Sequence, residues 1–159
     1  ETMDSFFQNY LSLFPDAAKL LAACNDKTRA YGLLLSPADL KELGAAREKA
    51  LAATGRVEFG CGVLEKLAAA FCDSPYLGQP DYCETLSTLQ DLFYHFKKEC
   101  CERAADDDLL EAMKRIYNGP AHGSTLYLAD IGPEVMLQII RFESLAPLME
   151  DTEREDTLE

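Results

Sequence analysis

The sequence has no tryptophan, only two histidines, and far fewer basic than acidic side chains. Lysine and arginine total 15 against 28 aspartates and glutamates, which gives a formal net charge of −13. Affinity for a phosphate backbone comes largely from lysine and arginine side chains that displace counterions. We therefore expect no nucleic-acid partner.

Long apolar runs are also missing. No uninterrupted apolar stretch approaches the roughly 18 residues that a membrane-spanning helix needs, and no positively charged start precedes an apolar segment, as in a secretory leader. The six cysteines are too sparse for a disulfide scaffold, and the adjacent Cys100 and Cys101 are awkwardly spaced for bonding to each other. These absences predict free thiols, no membrane partner and a cytoplasmic location.

The residues that are present favour helices. Apolar residues make up 48% and charged residues 27% of the chain, as in ordinary globular proteins. Valine and isoleucine are scarce, whereas alanine, leucine, glutamate and lysine are abundant, which favours helix over strand. We predict an all-α fold: a single compact helical domain of about six to eight helices over residues 1–146, followed by a flexible, disordered acidic C-terminal tail over residues 147–159.

The clearest local signal is the start of one helix. Ser36 is suited to cap a helix, Pro37 to occupy its first position and Asp39 to face its positive end. Gly55 is suited to the left-handed conformation that ends a helix. This helix places the following residues on one face: Leu40, Leu43, Arg47, Ala50, Leu51 and Thr54.

The remaining helices are predicted from apolar periodicity and from proline and glycine. We predict two short helices over Asp4–Asn25, a packed connection over Asn25–Leu35, helices over Val63–Cys72, Pro80–Arg103 and Asp106–Gly119, and a helix from about Gly132 to Phe142 or beyond. The longest, Pro80–Arg103, is expected at the centre. Residues 120–132 fit either a short helix or an extended segment.

Two local patterns contain residues that can carry chemistry. Gly60-Cys61-Gly62 precedes a helix, where backbone N–H groups can face a phosphate and a thiol can be activated. A nucleotide fingerprint requires a preceding parallel strand, and no base adjoins Cys61 in sequence. We therefore interpret the segment as an ordinary turn with an unreactive cysteine, and we predict no catalytic residue.

Asp91, His95 and Glu99 share one helical face, since four residues separate each from the next. Such a face could hold a metal. Di-iron bundles, however, place Glu-x-x-His on two helices, and structural zinc sites use closely spaced cysteine pairs. We therefore favour local helix pairs and predict no metal and no cofactor.

A binding site is the second hypothesis. Two polar loops flank the predicted Val63–Cys72 helix, so both could open to one cleft. Sequence alone leaves Arg29, Arg47 and Arg56 free to form either ion pairs or an anion pocket. The candidate ligand-binding residues, which include the Gly60–Gly62 turn and the Asp73–Tyr76 turn, are Arg56, Glu58, Gly60, Asp73, Ser74 and Tyr76.

Several strings resemble a known family. They are Tyr31-Gly32-Leu33, Ser36-Pro37-Ala38, Thr54-Gly55-Arg56-Val57-Glu58-Phe59-Gly60, Phe71-Cys72-Asp73-Ser74-Pro75-Tyr76 and Leu92-Phe93-Tyr94-His95-Phe96-Lys97. From Tyr31 to about Leu145 the chain resembles an uncharacterised family of small bacterial proteins, common in anaerobic Firmicutes. The resemblance implies a bacterial cytoplasmic origin but carries over no catalytic assignment, because the family is a domain of unknown function.

Two functions fit these features. The favoured one is a non-enzymatic cytoplasmic interaction or accessory protein, with an unknown protein partner or with a second copy in a homodimer. The alternative is a small-molecule-binding protein or enzyme whose site gathers around the six candidate residues. An exposed apolar patch or groove larger than several hundred Å² would favour the first, because soluble monomers rarely carry one, and a fully polar surface with one deep enclosed pocket would count against it.

Overall fold

The computed structural model describes residue 14 and residues 16–142 and forms them into α-helices joined by short loops. No strand occurs in these residues, so the predicted all-α class is confirmed, with seven helices. In chain order they are α1 (Ala17–Thr28), α2 (Pro37–Thr54), α3 (Leu64–Phe71), α4 (Tyr82–Glu99), α5 (Asp106–Asn118), α6 (Thr125–Ala129) and α7 (residues 133–142).

Helix α2 has both predicted ends. The Ser36 hydroxyl accepts a hydrogen bond from the Asp39 N–H at 3.0 Å, and the Asp39 carboxylate accepts one from the Ser36 N–H at 2.8 Å. This reciprocal pair satisfies two N–H groups that have no partner within the helix. At the other end Gly55 has φ 65°, and the Arg56 N–H bonds to the Leu51 carbonyl at 2.9 Å.

Helix α4 is shorter than predicted. A 3₁₀ turn over Gln79–Asp81 precedes it, and it ends at Glu99 rather than at Arg103. Cys101 and Glu102 have φ values of 54° and 62°, and the Glu102 N–H bonds back to the Lys97 carbonyl at 3.0 Å. Sequence periodicity missed this end because residues other than glycine rarely adopt the left-handed conformation.

Helices α2 and α4 pack side by side and run parallel. The Gln90 amide donates to the Leu43 carbonyl at 3.0 Å, and one turn later on each helix Arg47 and Tyr94 bind the same carboxylate. Helix α4 also packs on α3, α5 and α6, which confirms its predicted central place. The core between these helices includes Leu40, Leu43, Leu64, Leu67, Phe71, Leu86, Leu89 and Phe93.

The connection after α1 is more helical than predicted. The helix continues to Thr28 and a 3₁₀ turn covers Arg29–Tyr31. The Asn25 side chain accepts from the Leu35 N–H at 2.8 Å and donates to its carbonyl at 2.9 Å, so side-chain bonds rather than a capping motif hold the returning chain.

Three further predictions concern residues 120–132, the two ends of the chain and membrane-spanning helices. The ambiguous stretch 120–132 contains the short helix α6. The helix predicted ahead of Pro15 and the acidic tail over 147–159 lie outside the described residues. Among the described helices, none combines the length and the apolar character that crossing a bilayer requires.

The capping box of α2 gives a test of the fold. Ser36→Ala should lower the free energy of unfolding by about 1 kcal/mol, because it removes the acceptor of the Asp39 N–H. Urea unfolding followed by far-ultraviolet circular dichroism measures the loss. Ser87→Ala, within α4, is the control and should be close to neutral; equal losses for the two variants would contradict the capping role.

Candidate functional site

The parallel packing of α2 and α4 brings two helix C-termini to the same end of the molecule. The last carbonyl groups of each helix carry partial negative charge, which favours nearby cations. Arg56 directly follows the end of α2, and Lys97 and Lys98 lie in the last turn of α4. The predicted site residues Arg56, Glu58 and Gly60 therefore lie in a loop beside two negative helix ends.

Arg47 is the more deeply buried of the two buried cations of this region, with a side chain only 3% exposed. Its guanidinium group lies 3.3 Å from the Glu58 carboxylate and donates to the Gly60 carbonyl at 3.0 Å. It also lies 5.4 Å from the centre of the Phe14 ring, in a cation–π contact. A buried charge without a partner is strongly destabilising, so the loop after α2 must return to supply Glu58.

Glu58 accepts hydrogen bonds from three side chains of the protein. Besides Arg47, the Tyr94 hydroxyl donates to it at 2.7 Å and the Arg56 Nε donates at 3.4 Å. Tyr94 is fully buried, and burial, aided by the Glu58 charge, raises the pKa of its hydroxyl. Tyr94 therefore keeps its proton and continues to donate it to the carboxylate.

The ion pairs continue from Arg56 across to α5. The Arg56 guanidinium pairs with Glu102, which also lies 3.5 Å from the Lys97 ammonium. Lys97, with a side chain 7% exposed, pairs with Asp106 at 2.8 Å and donates to the Ala104 carbonyl at 2.7 Å. We call the six alternating charges the ionic chain: Arg47, Glu58, Arg56, Glu102, Lys97 and Asp106.

Gly62 lies directly against the first members of the ionic chain. A Cβ atom at this position would overlap the Glu58 carboxylate and would lie 2.9 Å from both Arg47 Nε and the Tyr94 hydroxyl. Its φ of 69° is also in the left-handed region. Only glycine lets the loop pass this close to the buried charges, so the predicted Gly60–Gly62 turn has a packing role.

A cavity of about 310 Å³ adjoins the ionic chain on the outer side. It is lined by Thr54, Gly55, Arg56, Tyr94, Lys98 and Glu102. Among the described residues Lys98 has no ion-pair partner, whereas Arg56 and Glu102 pair with each other. The cavity thus has one free cation beside a neutral pair.

The second group of predicted site residues follows α3 and contacts α5. The Asp73 carboxylate pairs with the Lys114 ammonium at 3.2 Å. The Ser74 hydroxyl, in a buried residue, donates to the Asn118 side-chain oxygen at 2.5 Å and receives the Tyr76 N–H at 3.3 Å. These bonds fix the turn on the surface of α5.

Tyr76 completes this second group by packing on the loop after α5. Its hydroxyl lies 3.1 Å from His122 Nδ1, and its ring meets the Tyr117 ring edge-on at 6.3 Å. Gly123 has φ 80°, and a Cβ there would lie 2.5 Å from the Tyr76 Cβ. Tyr76 is therefore held by close packing against a left-handed turn.

The structure brings the six predicted residues into two groups rather than one. Arg56, Glu58 and Gly60 precede α3, and Asp73, Ser74 and Tyr76 follow it. Eight helical residues span about 12 Å, and no hydrogen bond or ion pair joins the groups within the described part of the chain. Sequence reasoning identified the loops correctly but not their partners on α4 and α5.

Cys61 lies ahead of α3, which begins at Leu64, so the thiol is outside the first turn of the helix. Partial burial raises the pKa of this thiol, although the Arg47 charge opposes the shift. A raised pKa leaves less thiolate at neutral pH, which is the form that reacts. This environment agrees with the unreactive interpretation.

Two groups of residues have side chains of the kind that bind metals, and only one of them was identified from the sequence. His95 Nδ1 lies 3.5 Å from the Asp91 carboxylate, a local helix pair of the expected kind. Sequence reasoning missed Asp39, Glu42 and Cys83, whose potential ligand atoms all lie within 4.8 Å of one another. Two parallel helix N-termini meet there, and their positive partial charge disfavours a cation.

The model of a family of unknown function, DUF6323, matches residues 20–145. The chain belongs to this family. No curated protein and no solved structure matches the chain. Membership of DUF6323 therefore assigns no activity to the ionic chain or to the cavity beside it.

Gly60 and Gly62, which both have left-handed φ values in the loop between α2 and α3, form a matched pair for mutation. Gly60→Ala should cost about 1 kcal/mol of unfolding free energy, because φ is 82° but nothing lies within 4 Å of the added Cβ. Gly62→Ala should cost roughly 2 kcal/mol more, since it also displaces buried charges. Chemical denaturation of both variants measures the difference, and similar values would argue against the close approach.

Substitutions of Glu58 and Arg56 distinguish a structural role for these residues from a ligand-binding role. Glu58→Ala leaves the Arg47 guanidinium buried without its carboxylate and should cost about 3–5 kcal/mol. Arg56→Ala removes a side chain that is 25% exposed and should cost about 1 kcal/mol or less. Thermal and urea unfolding give both values; a negligible loss for Glu58→Ala would instead support the ligand-binding alternative.

Proposed function

We propose that this DUF6323 protein is a non-enzymatic interaction or accessory protein, and that the loop between α2 and α3 is its contact surface. The observation that carries the proposal is the exposure of two apolar side chains there. Phe59 is 91% exposed and Val57 is 80% exposed, whereas Glu58 between them points inward to Arg47. We call Val57 and Phe59 the apolar tip.

Burial of the apolar tip by a partner would be favourable. Aromatic residues, phenylalanine among them, are enriched in the buried core of protein interfaces. Removing apolar surface from water contributes about 25 cal/mol for each Å². An exposed phenylalanine two residues from an exposed valine therefore provides an apolar anchor for a partner.

The ionic chain supports this role by holding the apolar tip in place. Glu58 is bound by Arg47, Arg56 and Tyr94, and Gly60 is bound by Arg47, so fixed bonds lie on both sides of Phe59. Binding costs less entropy when the contacting loop is already ordered. The loop therefore loses its conformational entropy on folding and not on binding.

The same bonds argue against a catalytic role for Glu58. A general base must lie within hydrogen-bond reach of the proton that it abstracts, and the Glu58 side chain is only 18% exposed. Three protein donors surround the Glu58 carboxylate, and the adjoining Arg56 is shared with Glu102. Each charge of the ionic chain is therefore paired with another charge of the same chain.

The alternative function is supported by the cavity beside Arg56. Its volume of about 310 Å³ is at the lower end of the range of small-molecule sites. Native mass spectrometry of the purified protein, compared with its denatured mass, would show a retained ligand as extra mass. Such a ligand, lost in Arg56→Ala, would favour this alternative over the interaction protein.

We also propose a cytoplasmic location. All six cysteines are free thiols, and three of them, Cys24, Cys72 and Cys100, are buried. Persistent free thiols suit a reducing compartment. We further propose a protein partner or a second copy, rather than nucleic acid or a membrane, because the net charge of −13 disfavours phosphate-rich surfaces.

Photocrosslinking tests the proposed contact surface. We expect a photoreactive phenylalanine analogue at position 59 to form a discrete covalent adduct in cells of the source organism, because a partner covers the apolar tip. The same analogue at Leu126, which is 80% exposed on α6, is the control and should form none. The proposal fails if position 59 gives no adduct, or the same adducts as position 126.

A further inference from the structure

The end of α5 and one face of α7 enclose an apolar groove of about 410 Å³. Five of its seven lining residues are apolar. Val135 is 47% exposed and Phe142 is 57% exposed, so a large part of this apolar surface still faces water. The five apolar lining residues are Ile116, Pro120, Val135, Ile139 and Phe142.

The α7 wall of the groove is a continuous stripe along a helix that is fixed in place. Val135, Ile139 and Phe142 are separated by three or four residues, so they share one face of α7. The helix is held on the core through another face, where Met136 is fully buried. At its start, the Pro133 carbonyl accepts a hydrogen bond from the Cys100 thiol at 3.9 Å.

The chain beyond the described residues begins at the rim of this groove. Phe142 lines the groove and is the last residue of α7 that the structure describes, and residues 143–159 follow it. Two polar residues come first, then an apolar run over residues 145–149, and acidic residues predominate from Glu150 onwards. An apolar run and an uncovered apolar groove are therefore adjacent in the chain, and each would gain from burial against the other.

The sequence of the apolar run favours an extended segment over a continuation of α7. Pro147 has no N–H to donate, and it disfavours the helical conformation for Ala146. Two residues separate Phe142 from Leu145, which is the number of central residues in a β-turn. The polypeptide can therefore reverse its direction directly after Phe142.

The reach and the side-chain pattern of the run also fit the groove. The stripe from Val135 to Phe142 is about 10 Å long, and five extended residues span roughly 16 Å. Alternate side chains of an extended segment face the same side. Leu145, Pro147 and Met149 can thus face the groove together.

We propose that residues 145–149 fold back antiparallel to α7 and fill the groove between α5 and α7. The groove is then a binding site for an extended apolar peptide, and its occupant is the chain's own C-terminal segment. This site is separate from the apolar tip, which lies in the loop between α2 and α3. A failure at one site therefore leaves the other unaffected.

The lack of tryptophan in the chain provides a specific reporter. In Leu145→Trp the new indole should lie in the groove, whereas in the reference Leu126→Trp it replaces a side chain that is 80% exposed on α6. We expect acrylamide to quench the fluorescence of Leu145→Trp more slowly than that of Leu126→Trp, at every protein concentration. Equal quenching of the two variants would overturn the proposal.

A charge placed in the groove shows whether the groove is what protects the reporter. Val135→Asp, added to Leu145→Trp, should lower the ratio of docked to undocked segment about tenfold, because it opposes a carboxylate to apolar side chains. The matched control is Val57→Asp, which makes the same change at an exposed position in the apolar tip and should leave quenching unchanged. Slow quenching that persists in Val135→Asp would place the segment elsewhere and would overturn the proposal.

Photocrosslinking of the purified protein identifies the occupant without altering the segment itself. A photoreactive phenylalanine analogue at position 135 should crosslink to residues 145–149 of the same chain, in a product of monomer mass. Crosslinks to a second chain would show that another copy fills the groove, and the absence of any crosslink to residues 145–149 would show that the segment does not. Either result would overturn the proposal.

Discussion

The burial of the Arg47 guanidinium is the constraint on which the rest of this region depends. Arg47 lies on the same face of α2 as Leu43 and Ala50, and its side chain is almost fully removed from water. A charge in that position requires an opposite charge and hydrogen bonds. The loop after α2 supplies Glu58 and the Gly60 carbonyl to one guanidinium nitrogen, whereas the buried Nε has no hydrogen-bond partner within the described residues.

The parallel packing of α2 and α4 explains why so many charges gather at one end. Parallel helices place both negative C-termini together, so the cations Arg56, Lys97 and Lys98 are favoured there. Their charges are then balanced in part by Glu58, Glu102 and Asp106. Glu102, whose backbone is left-handed like that of Cys101, pairs with both Arg56 and Lys97 in the ionic chain.

This arrangement links stability to the proposed function through one loop. The inward residue Glu58 contributes to the fold, and its outward neighbours Val57 and Phe59 remain available for binding. A loop fixed in this way can present apolar residues to a partner at low entropic cost. The second group of candidate residues, around Tyr76, has partners on α5 and the following turn, and it anchors the other end of α3.

Sequence by itself determined those features that depend on neighbouring residues in the chain. Ser36, Pro37, Asp39 and Gly55 define the ends of α2 because capping bonds form within a few residues. Apolar periodicity likewise located α3, α5 and most of α4. Composition was sufficient for the all-α class, because it reflects the conformational preferences of many residues together.

Only the tertiary structure decided which loops share partners. Arg47 reads in sequence as one more residue of an apolar stripe, and its pairing with Glu58 depends on how the intervening loop folds back. Tyr94, Lys97 and Glu102 were not recognised as neighbours of Arg56, because they lie about forty residues along the chain and meet it only through the packing of α4 on α2. Spacing along the sequence carries no information about such contacts, since they are fixed by the relative direction of two packed helices.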